Sequence, residues 1–61
     1  MTKERIKALR AKLGISQAAL GALIGVSVTS INRWENGAAS PKNGAILGMI
    51  SKLERRERQR R

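Results

Sequence analysis

Thirteen Lys and Arg residues face only four Glu in this chain of 61 residues, and neither His nor Cys is present. The side chains most used as general bases and nucleophiles are therefore missing, and with them a zinc site or a disulfide framework. Glu4, Glu35, Glu54 and Glu57 are each interleaved with Arg or Lys and not with one another, which suits neither an acid/base dyad nor a hard-cation site. The sequence points away from catalysis and predicts no metal and no cofactor. What remains is recognition by charge and hydrogen bonding. The richest stretch for that lies between Ser27 and Asn36, where Val28, Thr29, Asn32 and Arg33 offer methyl groups, a hydroxyl, an amide and a planar guanidinium fork. Such a fork matches O6 and N7 of guanine, an Asn amide can match adenine, and Val or Thr methyl groups suit the thymine methyl.

The cationic groups are not spread evenly. Residues 1–13 carry five of them against Glu4, residues 14–50 only Arg33 and Lys42 against Glu35, and residues 51–61 six against Glu54 and Glu57. Two basic ends thus flank a nearly neutral centre, with a formal net charge of +9 and an isoelectric point near 11.8. A charge of this size on so small a surface attracts polyanions, nucleic acid or an anionic membrane face, unless it serves solubility alone. No apolar run approaches the roughly 18 to 20 residues of a membrane span, and no apolar stretch at the N-terminus suggests a secretory signal. The expected setting is the cytoplasm, without membrane contact.

The elements that must hold the candidate residues follow from spacing and punctuation. One Pro, scattered β-formers and no alternating run predict an all-α chain. Thr2 suits the cap of a first helix with Ile6, Leu9 and Leu13 inward, stopped by Gly14. Ser16 caps a second from Gln17 to about Ile24, with Leu20, Leu23 and Ile24 inward, ended by Gly25. Ser27 caps a third that runs to Asn36 and closes at Gly37. Ser40-Pro41 reads as N-cap and first helical position of a fourth, whose stripe is Ile46, Met49, Ile50 and Leu53. Leu47 lies about 110° from the centre of that stripe, a candidate exposed contact. Beyond Leu53 the stripe positions become charged (Arg56, Glu57, Arg60), so residues 1–54 form the expected compact domain and 55–61 a basic tail that projects or frays.

The connection Gly25-Val26-Ser27 is short enough to force the second and third helices to cross steeply, as in a helix-turn-helix over residues 17–36. Its apolar positions are Leu20, Ile24, Val26, Ile31 and Trp34. Gly21 removes a side chain where the second helix would otherwise collide with the third, and Gly25 can take the positive φ of the turn. With these features, "LRAKLGISQAALGALIGVSVTSINRWENG" and the following "SP" helix start resemble the Cro and phage-repressor family, the lambda-repressor-like DNA-binding domains, from about Arg5 to Leu53. Family members generally have five helices, whereas this chain has residues for four and a basic tail.

On the third helix Ile31 and Trp34, with Ser30 beside them, point inward. The opposite face holds Val28, Thr29, Asn32, Arg33 and Asn36, polar but nearly uncharged, whereas a merely solvated face more often shows Lys/Glu pairs. Arg33 has a competing role as ion-pair partner of Glu35, and Asn32 one as a contact to phosphate or water. The resemblance implies that Gln17 holds a backbone phosphate, as do Asn36 and the residues just after it. Ser27 caps first and meets phosphate second, while Lys42 and Asn43 suit phosphate at the start of the fourth helix. Arg10 and Glu35 flank the seam between first and third helices, and the family's matching positions form a structural ion pair. The expected function is sequence-specific double-stranded DNA binding in transcriptional repression. One recognition helix covers about 4 to 5 base pairs, so useful specificity requires a homodimer on a palindromic operator. Two rivals are an antitoxin with a toxin partner, and an RNA-binding protein that uses the Arg-rich tail.

Overall fold

Each of the first three helices begins on a side-chain hydroxyl. Thr2 Oγ1 accepts from the Arg5 backbone N–H (3.4 Å), Ser16 Oγ from Ala19 (3.1 Å) and Ser27 Oγ from Ser30 (3.2 Å), each satisfying a donor that a helix start leaves without an internal partner. The computed structural model describes residues 2–59; Met1, Arg60 and Arg61 lie outside the described residues. The helices are α1 (Lys3–Leu13), α2 (Gln17–Ile24), α3 (Val28–Glu35) and α4 (Gly44–Gln59), with no strand among the described residues. The described residues are thus all-α in four helices, as the sequence predicts, and Asn36 is the C-cap of α3 rather than its last residue. No helix among the described residues is long and apolar enough to cross a membrane.

The core draws on every helix: Ile6 and Leu9, Leu20 and Ile24, Ile31 and Trp34, and Ile50 are buried. Leu13, Ile15, Val26, Ile46 and Leu53 pack around them. Burial of such side chains stabilises by about 1.5 to 3 kcal/mol each, and α3 joins the helices by packing against both α2 and α1. The crossing depends on Gly21. A Cβ there would stand 2.7 Å from the Val26 carbonyl oxygen, so the obstacle that Gly21 avoids is the backbone of the turn itself. Gly25 supplies the turn's left-handed residue at φ 91°.

Three expectations are corrected. The fourth helix begins at Gly44, not Pro41. Asn43 Oδ1 accepts from the backbone N–H groups of Ala45 (2.8 Å) and Ile46 (3.3 Å), while Pro41 is buried ahead of the helix; the Ser-Pro pair is apolar packing and linker, and Asn43 is the cap. Leu23 is 50% exposed. The buried arc of α2 is Leu20, Ile24 and Gly21, and Leu23 lies about 110° from its centre at 100° per residue. In α4 the buried arc is likewise turned from the expected stripe. Ile50 is its centre, Met49 falls about 100° to one side and is 37% exposed, and Leu47 falls on the other side and is half-buried, not exposed. The helix also continues unbroken to Gln59, with Glu54 drawn towards α1. There Arg5 Nε and Nη2 donate to the two Glu54 carboxylate oxygens at 2.7 and 2.6 Å.

Candidate nucleic-acid interface

The third helix has two unlike sides because its apolar residues recur at i and i+3. Ile31 is fully buried and Trp34 is 7% exposed, so their burial fixes the rotation of the helix about its own axis. That rotation leaves Val28, Thr29, Asn32, Arg33 and Asn36 exposed together. Val28 is 46% exposed, an apolar side chain left at the N-terminal end of this face. The Arg33 side chain makes no hydrogen bond or ion pair to another described residue; the alternative pairing with Glu35 is not formed. Asn32 and Asn36, one turn apart, are joined by a bond from Asn36 Nδ2 to Asn32 Oδ1 at 3.0 Å. This i, i+4 spacing was open to sequence reading.

Glu35 leaves α3 on the opposite side and is only 4% exposed. Arg10 Nε and Nη2 donate to its two oxygens at 2.7 and 3.0 Å, in a fork-to-fork pair that ties α1 to α3. Arg10 also reaches the Ile15 carbonyl at 3.4 Å. Gln17 Nε2 donates to Glu35 Oε1 at 3.3 Å, so the same carboxylate holds the first residue of α2. Hydrogen bonding from Arg10 keeps the Glu35 carboxyl below the ordinary carboxylate range, against the opposing effect of burial, with Gln17 adding to the lowering. The Arg10 guanidinium is correspondingly held more firmly protonated.

The remaining candidates are in different states. Gln17 is half-buried at the N-terminus of α2. Ser27 is exposed and is occupied as the α3 cap, its Oγ also within 3.2 Å of Ser30 Oγ. Lys42 is exposed in the connection before α4, and Asn43 is exposed while capping it. The Arg5–Glu54 pair has no counterpart in sequence reasoning, because the two residues lie 49 positions apart with no periodicity linking them.

Comparison with known proteins gives the same picture. The helix-turn-helix family model matches residues 6–56. Repressor protein C2 of Salmonella phage P22 is 43% identical over 51 residues, which are 84% of this chain and 24% of that protein, so the chain spans about a quarter of the length of that curated relative. The crystal structure of the P22 c2 repressor protein in complex with the synthetic operator 9T in the presence of Tl+ superposes with a TM-score of 0.77 at 47% identity, covering 87% of this chain and 79% of that one. A tight two-helix turn seated on a glycine, a third helix with one buried and one open side, and a family match over most of its length make this chain a member of the Cro/phage-repressor type of helix-turn-helix proteins.

Proposed function

We propose that this protein is a sequence-specific double-stranded DNA-binding transcriptional repressor that inserts α3 into the major groove of a palindromic operator. The observation that carries the reading is the state of the α3 face: anchored from behind by Ile31 and Trp34, it presents the Arg33 side chain without a partner among the described residues. Likeness to a repressor crystallised on an operator supports the same conclusion. Val28, Thr29, Asn32 and Arg33 are the proposed base contacts. Gln17, Ser27, Asn36, Lys42 and Asn43 are the proposed phosphate contacts, with donors and helix starts that favour an anion. Residues 1–54 serve as the reading unit, and the basic residues beyond them add neutralisation of phosphate. Two copies bind as a homodimer. A molecule of 33 × 22 × 19 Å fits beside a second over half-sites about 34 Å apart. No observation favours a toxin partner or an RNA-binding tail, and no enzymatic role is proposed.

Selection of duplexes from a random pool, followed by binding measurements on the recovered sequence, tests this. The expected product is a two-fold symmetric motif. Arg33→Ala then costs about 1 to 3 kcal/mol on that site and relaxes choice at one base pair. Unchanged discrimination between cognate and scrambled duplex by the Arg33→Ala variant would refute the assigned face.

A further inference from the structure

The Asn32 and Asn36 side chains stand one helical turn apart on the exposed side of α3, with Asn36 Nδ2 donating to Asn32 Oδ1 at 3.0 Å. A free Asn amide rotates about a broad terminal torsion. By itself Asn32 would offer a donor, an acceptor, or both at once to an adenine edge. The bond from Asn36 draws the carbonyl towards the C-terminal end of the helix and decides which end of the amide faces away from it. We propose that Asn36 is a positioning residue for base choice: it holds the Asn32 carbonyl so that the NH2 group of Asn32 faces the DNA, and the base opposite is selected for an acceptor edge. This rests on the reading of α3 given above and narrows it.

The chemistry orders the four bases. Guanine presents N7 and O6, both acceptors, and is the best match; adenine N7 and thymine O4 provide one acceptor each. Cytosine presents only its N4 donor in the major groove, so two N–H groups would meet with nothing to accept between them. Asn36 keeps its second amide N–H for a phosphate oxygen. A single side chain thereby links the sequence-independent grip on the backbone to the reading of one base, and a register error of the backbone contact also spoils the base contact.

The test uses the full chain and a set of duplexes in which each base of the selected half-site is permuted, with the wild type compared to Asn36→Ala and Asn36→Asp. The wild type should prefer guanine to cytosine by about tenfold at one position. Asn36→Ala frees the amide and should shrink that ratio to about threefold or less at this position alone. Asn36→Asp carries only acceptors, so it should turn the Asn32 amide round, expose the carbonyl, and move the preference at this base to cytosine or adenine. A purely structural or phosphate-binding Asn36 cannot produce that reversal. An equal loss on all duplexes by both variants overturns the proposal, as does a wild-type preference for cytosine at that base. Arg33→Ala in the same set separates the two levels. If it relaxes one base pair while the Asn36 variants change no preference, the amide proposal alone fails; if no variant changes any preference, the reading of α3 fails with it.

Discussion

Glu35 shows how much one side chain can decide in a molecule this small. Its two oxygens accept from Arg10 and Gln17, and replacing it with Ala leaves both partners without their acceptor. A loss of about 1 to 3 kcal/mol is expected from the stranded donors, tempered because Arg10 is 31% exposed and can turn to water; urea denaturation of Glu35→Ala measures it. Acid should act through the same group. The folded carboxyls of Glu35 and Glu54 lie below their ordinary range, each held there mainly by hydrogen bonds from its Arg partner. Their stabilisation is therefore complete above the unfolded carboxylate range of about 4.3 and is lost as pH falls through the depressed folded values. Thermal melts should show a constant midpoint from pH 7 down to about 5 and a decline below it, and Glu35→Gln should flatten much of that decline. A wild-type midpoint independent of pH down to about 2 would contradict the pairing. The Arg10 and Glu35 positions were legible because each flanks an apolar stripe, whereas the third member, Gln17, was legible only as a phosphate contact implied by resemblance. Its bond to Glu35 depends on how α2 meets α3, which no local pattern encodes.

At the level of elements, α1 to α3 were legible nearly to the residue because hydroxyl caps and glycine stops are local signals. The start of α4 was not, since Ser40-Pro41 and Asn43-Gly44 both satisfy the grammar of a helix start. Burial of Pro41 and the two N–H groups accepted by Asn43 decide for the second. The rotations of α2 and α4 were misjudged for a related reason. A sequence stripe counts large apolar residues, whereas the buried arc of α2 includes Gly21 and that of α4 centres on Ile50 alone. Two glycines make the contrast measurable. At Gly21 a methyl group overlaps a backbone carbonyl that cannot swing away. The overlap costs about 1 to 3 kcal/mol and outweighs the helix-propensity gain of about 1 kcal/mol that Ala brings. At Gly48, in α4, nothing lies within 4 Å of the added methyl, so only the gain is felt. Gly21→Ala should lower the melting midpoint and Gly48→Ala raise it, and a rise from both would show that the turn gives way.

For the molecule as a whole, the proposed function assigns the strength of the grip on DNA to charge and the choice of DNA to α3. With a formal charge of +9, affinity should fall steeply with salt, the slope of log K against log salt changing by about 0.9 for each phosphate contact removed. Arg58→Ala is expected to weaken all duplexes alike and leave base preferences intact, which titrations at several salt concentrations on cognate and scrambled duplex can check. The shared carboxylate has a different consequence for the whole molecule. Helix α1 cannot peel away from α3 without taking Arg10 from Glu35 and leaving that buried carboxylate with Gln17 alone, so partial opening disturbs a site shared by three helices. Backbone amides in α1, α2 and α3 should therefore surrender their hydrogen-exchange protection together, as one cooperative foldon, while those beyond Leu53 trade deuterium earlier.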